Sequence, residues 1–166
     1  MTEAVTTATT WTIDPIHSVL EFSVKHMMFT TAKGRFQEFA GTIQYDPQNP
    51  AGSRVEVTIN PASINTNTAD RDAHLRSADF FDVETYPEAS YRSTSVRAKG
   101  DDLVIEGELT IKGITRPVTL KGEFQGTGVN PWGVEVAGFE AKGQFNRKDF
   151  GLNWNQALES GGVLVS

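Results

Sequence analysis

The sequence predicts an all-β fold, an antiparallel barrel of eight strands with a short helical insert. Three observations favour it. Segments of about ten residues alternate apolar and polar side chains, which is longer than most sandwich strands. Short turns join consecutive segments, as in a meander that closes into a barrel without crossing connections. The apolar face carries small residues, which either bend the strands or leave room for one small ligand inside. These residues are Gly41, Gly107, Gly122, Ala141 and Gly143.

Length and composition indicate one domain over residues 11–166, preceded by a disordered polar tail over residues 1–10. The chain has 166 residues, a net charge of −6 and no cysteine, which excludes disulfides and thiol chemistry. An acidic chain is poorly suited to nucleic acid, whose phosphates need a basic face. The sequence has no apolar run of about 20 residues, and its start does not resemble a secretory signal. We therefore expect a cytoplasmic protein, or a periplasmic one if a signal was removed.

Strands are assigned where apolar residues recur at every second position. The first segment, 18–26, has Leu20, Phe22, Val24 and His26 on one face. The seventh has Val134 and Val136 facing inward, followed by a parity change near Ala137-Gly138 that predicts a β-bulge. Beyond that point Phe139, Ala141, Gly143 and Phe145 face inward. The eight predicted strands are 18–26, 35–46, 54–60, 88–99, 103–112, 118–125, 134–145 and one that begins at 162.

The insert between the third and fourth strands, residues 64–82, is the segment that does not alternate. It is predicted to hold a helix over residues 67–77, because Asn67 followed by Asp70 resembles an N-cap with an acid three residues later. So short a helix cannot bury much surface alone. We therefore expect it, with Phe80 and Phe81, to cover one mouth or wall of the barrel.

Five motifs in the sequence resemble those of the YceI-like family, polyisoprenoid-binding proteins with a lipocalin fold. The motifs are Trp11-Thr-Ile-Asp-Pro-Ile-His17-Ser, Ser63-Ile-Asn-Thr, Arg71-Asp-Ala-His-Leu-Arg-Ser-Ala-Asp-Phe-Phe-Asp82, Leu109-Thr-Ile-Lys-Gly-Ile-Thr-Arg-Pro-Val118 and Phe145-Asn-Arg-Lys-Asp-Phe-Gly151. The resemblance implies a lipocalin-like barrel that holds a polyprenyl phosphate or an isoprenoid quinone in an apolar tunnel, and it implies homodimers. Family members continue past Ser166 into a full last strand.

If a lipid is bound, apolar side chains line the tunnel and polar groups hold the head group, and the protein makes transient contact with a membrane. The expected tunnel residues are Leu20, Phe22, Val24, Ile43, Val57, Ile59, Leu75, Phe81, Ile105, Leu109, Leu120, Phe139 and Phe145. The head-group candidates are His26, Arg71, His74, Arg76 and Arg147. Arginine suits a phosphate because its guanidinium makes bidentate contacts. Alternatively, Arg71 and Arg76 form ion pairs with neighbouring aspartates that fix the helix, and His17 holds a turn.

Two other hypotheses remain open. The first is an interaction domain that binds no lipid. The second is a metal-dependent enzyme that uses Asp70 and His74, which are spaced to share a helix face. A convincing metal site needs three or four ligands, and neither an HExxH motif nor a Gly-x-Ser-x-Gly nucleophile elbow is present. We therefore expect a binding protein without catalytic activity, metal or cofactor.

Overall fold

The computed structural model describes residues 9–26 and 30–152, without the side chains of Lys25, His26 and Thr30. Within these ranges, no helix has both the length and the apolar character needed to cross a membrane. The elements are β1 (Thr9–Thr12), β2 (Leu20–His26), β3 (Thr30–Phe36), β4 (Phe39–Tyr45), β5 (Arg54–Ile59), β6 (Ile64–Asn65), α1 (Ala69–Arg76), β7 (Ala89–Lys99), β8 (Asp102–Ile111), β9 (Ile114–Val129) and β10 (Glu135–Lys142).

Seven of these strands form one antiparallel sheet in the order β1-β4-β5-β7-β8-β9-β10. The sheet is a nearly closed barrel of the lipocalin-like type, which confirms the predicted fold class. Strands β2, β3 and β6 form a separate three-stranded sheet. The strands from β7 to β10 are each paired with the next one along the chain, so the predicted meander is present in this half of the molecule.

Ring contacts of Tyr45 show how strongly the large sheet curls. Tyr45 belongs to β4, whereas Phe124 and Phe139 belong to β9 and β10. In a flat sheet, the four strand spacings between β4 and β9 would separate these residues by about 19 Å. The centroid of the Tyr45 ring instead lies 4.8 Å from that of Phe124 and 5.7 Å from that of Phe139. The two sides of the sheet therefore meet through aromatic side chains.

Strand register defines two ends of the barrel. The insert leaves from the end of β5 at Ile59 and returns at Ala89, and these two residues are paired. The β8–β9 turn at Lys112-Gly113 lies at this same end, which we call the helix end. The β7–β8 turn and the β9–β10 hairpin lie at the opposite end, which we call the hairpin end. Both assignments follow from the antiparallel register of β5, β7, β8, β9 and β10.

The N-terminal third differs from the sequence prediction. Residues 9–12, of which the first two were assigned to a disordered tail, form β1 and pair with β4. The predicted strand over residues 35–46 is divided between β3 and β4, which belong to different sheets. The chain changes sheet at Gln37-Glu38, whose backbone amides donate hydrogen bonds to the Ser63 carbonyl and hydroxyl oxygens. The predicted strand from residue 162 lies outside the described residues.

The predicted bulge is present, but its extra residue lies on β9. Gly138 pairs with Gly126 and Phe139 pairs with Phe124, which leaves Gln125 without a partner. Gly126 has a φ of +110°, a conformation that other residues rarely adopt. Because β10 itself keeps its alternation, Val136 lies on the opposite face from Phe139. The inward placement of Val134 and Val136 is therefore wrong, and their exposed fractions are 55% and 45%.

The small residues of the inner face let neighbouring groups approach closely. A Cβ atom added at Gly107 would lie 2.5 Å from the Tyr91 ring, and one at Gly41 would lie 2.1 Å from the Glu56 carbonyl oxygen. At Gly143 the Thr119 carbonyl oxygen would be 2.6 Å away. At these three positions neighbouring atoms occupy the space that a side chain would take, so the missing side chains leave no room there for a ligand.

Candidate functional site

Most of the predicted tunnel residues lie together in the barrel interior. Eight of the thirteen belong to one hydrophobic cluster that extends over the inner face of β5, β8 and β9 and reaches the insert. They are Leu20, Val57, Ile59, Leu75, Phe81, Ile105, Leu109 and Leu120. The cluster places residues far apart in sequence on one continuous apolar surface.

Phe22 extends this surface within the smaller sheet. Its ring centroid is 5.5 Å from that of Phe36 on the adjacent strand, and Phe36 in turn makes an edge-to-face contact with Phe81 at 5.7 Å. Gly34 makes room for the Phe22 ring, since a Cβ atom there would lie 2.5 Å from it. Phe81 follows the helix, so these contacts place the insert against the apolar interior, as the sequence predicts.

At the hairpin end, the interior is lined by the aromatic group of Tyr45, Phe124 and Phe139. The centroids of Phe124 and Phe139 are 5.1 Å apart. Phe145 differs from the other predicted tunnel residues because β10 ends before it, at Lys142. Its side chain is 48% exposed and contacts Phe150 at a centroid distance of 5.1 Å.

Many large apolar side chains that face the interior are only partly buried. Among the described residues, only Phe150 is a large side chain with less than 2% of its surface exposed. The half-buried interior side chains include Leu20, Phe22, Val24, Phe36, Ile43, Tyr45, Val57, Leu75, Phe81, Leu120, Phe124 and Phe139. Apolar area that stays partly accessible in this way can contact a hydrophobic ligand.

Thr66 connects two charged residues of the insert. The Arg71 guanidinium donates hydrogen bonds of 2.8 Å to the Thr66 hydroxyl and to its carbonyl oxygen. The buried Asp72 carboxylate accepts bonds from the Thr66 amide at 2.9 Å and from its hydroxyl. Arg71 is therefore held by a threonine, and the expected ion pair with a neighbouring aspartate is not what fixes it. The helix begins at Ala69, two residues later than predicted, with Thr68 at its N-cap in place of Asn67, which has a φ of +65°.

The other head-group candidates lie in different surroundings. His74 contacts the Asp79 carboxylate through Nε2 at 2.8 Å, and its ring packs edge-to-face on Phe80. Arg76 is half-buried in the last turn of α1. Arg147 is half-buried after β10, where it donates a hydrogen bond to the Leu152 carbonyl oxygen and where burial lowers its pKa. The side chain of the fifth candidate, His26, lies outside the described residues.

Lys112 is a residue of the helix end that the sequence did not single out. Its ammonium group donates to the Ala78 carbonyl oxygen at 3.3 Å and to the Gly151 carbonyl oxygen at 3.4 Å. It thus joins the β8–β9 turn to the insert and to the segment after β10. Lys112 and Gly113 both have positive φ values, 54° and 72°, as a two-residue type I′ hairpin requires. The dipeptide Lys-Gly is a weaker signal for this turn than Asn-Gly, which explains why the role of Lys112 was missed.

His17 stabilises an exposed turn. Its Nδ1 atom lies 2.6 Å from the Asp14 carboxylate, and its amide donates to the Asp14 carbonyl oxygen. The hydrogen bond from the imidazole lowers the pKa of the Asp14 carboxyl group. Asp14 also accepts a bond from the Ile16 amide. These contacts agree with the structural role expected for His17.

The outer face of the barrel carries a groove of about 490 Å³. Three of its four cations occupy one row across neighbouring strands, because Arg97 pairs with Val104, Val104 pairs with Lys121, and Lys121 pairs with Lys142. The fourth, Lys99, pairs with Asp102 in the next outward-facing row. Lys121 also lies 3.3 Å from the Asp102 carboxylate. A smaller depression beside it is lined by Glu123 and Glu140. This face therefore carries charges of both signs, and the inward-facing Leu120 also lines the groove.

No group of three or more His, Asp or Glu side chains is arranged to hold a metal ion in the described part of the chain. The hypothesis of a metal-dependent enzyme pairs Asp70 with His74. The Nε2 atom of His74 is instead directed at Asp79, and Asp70 is exposed on the first turn of α1. The contact between His74 and Asp79 instead joins α1 to the turn that follows it.

The fold and the apolar interior define a lipocalin-like β-barrel protein. The family model described as the YceI-like domain matches residues 11–166, and the chain belongs to this family. Protein YceI of Escherichia coli O17:K52:H18 is 48% identical over 136 residues, which cover 82% of this chain and 71% of that protein.

Solved structures agree with this assignment. Burkholderia cenocepacia BcnA has a TM-score of 0.76 and 26% identity, with 83% of each chain covered. A polyisoprenoid binding domain from Saccharophagus degradans has a TM-score of 0.52 and 17% identity, covering 81% of this chain and 76% of that one. At this identity, the second likeness shows the fold alone.

Proposed function

We propose that this protein binds a long-chain isoprenoid lipid inside the barrel and carries, stores or protects it without catalysing a reaction. The observation that carries the proposal is the continuous, half-buried apolar surface that runs from Phe22 and Phe81 at the helix end to Phe139 at the hairpin end. The polyisoprenoid binding described for the Saccharophagus degradans domain, which shares the fold, supports this class of ligand.

A long hydrocarbon suits such a surface energetically. Each CH₂ group removed from water contributes about 0.8 kcal/mol, so a prenyl chain supplies most of the affinity without any polar contact. A lipid that leaves a bilayer gives up a similar free energy, and the exchange between protein and membrane is therefore near balance. The shape of the interior then selects the chain, whereas the polar groups near one end select the head group.

Three of the candidates for the head-group contact, Arg71, Arg76 and Arg147, lie at the helix end. Arg76 and Arg147 are half-buried there, and partial burial strengthens the interaction of a guanidinium with an anion. Arg71 already donates two hydrogen bonds to Thr66, which favours a structural role for it. We therefore assign the head-group contact to Arg76 and Arg147 in preference to Arg71.

The proposal is tested by filling the interior with one bulky side chain. Leu120 faces inward on β9, and Val104 faces outward on the adjacent strand β8; both are half-buried. Leu120→Trp and Val104→Trp are therefore matched variants that differ in the face they occupy. Each is incubated with an isoprenoid quinone and, separately, with a polyprenyl phosphate, and retained lipid is measured by native mass spectrometry.

We expect Leu120→Trp to reduce retained lipid by about tenfold or more, because overpacking opposes entry of the chain. Val104→Trp should retain lipid like the unmodified protein. Thermal unfolding of both variants establishes that they are folded. Equal retention by the two variants, or no retention by the unmodified protein, would count against an interior site.

A further inference from the structure

The β9–β10 hairpin carries the most extended run of exposed apolar side chains in the described part of the chain. Val129, Trp132, Val134 and Val136 have exposed fractions of 71%, 80%, 55% and 45%. Beyond Gly122, β9 has no partner in β8. Its residues 123–129, apart from the bulged Gln125, pair only with β10 among the described strands. The hairpin therefore extends roughly 20 Å past the neighbouring strand.

The tip of this hairpin is a well-defined turn held by Asn130. Its side-chain oxygen accepts hydrogen bonds from the amides of Trp132, at 3.0 Å, and Val134, at 2.9 Å. Its own amide donates to the Val134 carbonyl oxygen, and the Gly133 amide donates to the Asn130 carbonyl oxygen. Gly133 supplies a φ of +77°. The turn thus satisfies its own backbone groups while it holds Trp132 away from the barrel.

The charges around the tip favour an uncharged partner. Residues 126–134 contain no ionisable side chain, and Glu135 is the first charge after them. Glu123 and Glu140 lie further back on the outer face, and the cations Lys121 and Lys142 lie behind those glutamates. The contact surface is therefore apolar at its tip and mixed in charge behind it, so electrostatic attraction to an anionic surface is not its source of affinity.

The size of the patch argues against a second copy of the chain. A stable protein interface needs about 800 Å² from each partner, which is more than one tryptophan and three valines on a hairpin can supply. A lipid bilayer requires no shape complementarity, and tryptophan prefers its interfacial region because the ring is apolar and the indole N–H is polar. A turn with satisfied backbone groups enters that region at low cost.

We propose that the tip of the β9–β10 hairpin inserts into the interface of a lipid bilayer and docks the barrel on the membrane by its hairpin end. This inference rests on the proposed lipid-binding function, for which it supplies the step of contact with a lipid source. Arg76 and Arg147, to which the head-group contact is assigned above, lie at the opposite, helix end.

Vesicle co-sedimentation tests the proposal with zwitterionic phosphatidylcholine vesicles. Trp132→Ser should lower the vesicle partition coefficient by about tenfold, and Val129→Thr should lower it less. The matched control is Ile16→Ser, because Ile16 is 86% exposed in the turn after β1, at the helix end. Vesicle binding by the unmodified protein should change little between low and high salt. Brominated lipid should quench part of its tryptophan fluorescence, and this quenching should be absent in Trp132→Phe.

Lipid content measured on the same preparations separates this inference from the proposed function. Loss of vesicle binding in Trp132→Ser, with co-purified lipid and Ile16→Ser unchanged, supports docking by the hairpin. Equal vesicle binding by Trp132→Ser and the unmodified protein overturns it, whatever the lipid content. A Trp132-dependent dimer or protein complex without vesicle binding also overturns it. Vesicle binding that depends on Trp132 in a protein without lipid would contradict the proposed function alone.

Discussion

The Tyr91 hydroxyl donates a 2.9 Å hydrogen bond to the carbonyl oxygen of Val118, two strands away. Tyr91 lies on β7 and Val118 on β9, so the side chain passes over β8 at Gly107. The same hydroxyl lies 3.4 Å from the Ile105 carbonyl oxygen. One buried side chain therefore fixes the positions of three strands in the wall of the barrel.

Removing this hydroxyl should weaken the fold. We expect Tyr91→Phe to lower the free energy of unfolding by about 1 kcal/mol, the usual net contribution of a buried hydrogen bond. Chemical denaturation measures the difference. Tyr45→Phe is the matched control, because Tyr45 is held by ring contacts with Phe124 and Phe139 that survive the change. A larger loss in Tyr45→Phe than in Tyr91→Phe would contradict this role of the Tyr91 hydroxyl.

The same residue predicts a loss of stability at alkaline pH. Burial, and to a lesser extent the negative charge of Glu106, raises the pKa of Tyr91 from 10.0 to about 12. Between these values the unfolded chain releases the phenolic proton while the folded chain retains it, so unfolding becomes more favourable as pH rises. Below pH 10 this titration does not change the free energy of unfolding. Above pH 10 it lowers the free energy of unfolding by at most about 1.4 kcal/mol per pH unit.

Comparison with Tyr91→Phe isolates this effect from the titration of other groups. Unfolding curves are measured for both proteins at intervals from pH 9 to pH 12. The stability difference between them should shrink or reverse as pH rises through this range. A difference that is constant over the range would show that Tyr91 does not retain its proton in the folded state.

Gly107 should be intolerant of a side chain. A Cβ atom there would lie 2.5 Å from the Tyr91 ring and 2.6 Å from the Arg92 carbonyl oxygen. We expect Gly107→Ala to cost about 1–3 kcal/mol, since overpacking displaces Tyr91. Gly128→Ala is the control in another strand, because nothing lies within 4 Å of the added Cβ atom. Equal unfolding midpoints for the two variants would contradict the close approach of Tyr91.

Thr66 should contribute more to the insert than its neighbour Thr68. Thr66→Val removes a hydroxyl that bonds both the buried Asp72 and Arg71, and we expect a loss of about 1–3 kcal/mol. Thr68→Val serves as the control because the exposed Thr68 side chain makes no capping hydrogen bond. Hydrogen exchange should be faster in α1 for Thr66→Val alone. Similar exchange in both variants would show that Thr66 does not hold the helix.

Alternation was sufficient to predict the strands of the barrel wall. In β8, Leu103, Ile105, Leu109 and Ile111 are all buried, as their period of two requires. β3 was missed because its inward positions are occupied by Ala32, Gly34 and Phe36, two of which carry little or no apolar side chain. Gly34 has no side chain because the Phe22 ring occupies the space beside it, and this contact cannot be read from the sequence.

The apolar character of the interior could be predicted, but its polar contacts could not. The bond network of Thr66 joins an uncharged hydroxyl to Arg71 and Asp72, whereas charge alone suggested pairs between arginine and aspartate. The orientation of Val136 depended on which strand carried the bulge, and the sequence signal lay in Gly126 of the partner strand. Such pairings between distant residues follow from the register, which local patterns do not specify.

Mass spectrometry of organic extracts from the purified protein tests the central claim most directly. Protein from a host that makes isoprenoid lipids is extracted in parallel with the Leu120→Trp and Val104→Trp variants. We expect one class of prenyl-chain lipid in near-stoichiometric amount in the unmodified protein and Val104→Trp, and little in Leu120→Trp. Lipid-free extracts from all three proteins, together with no uptake of added isoprenoid, would contradict a lipid-binding interior.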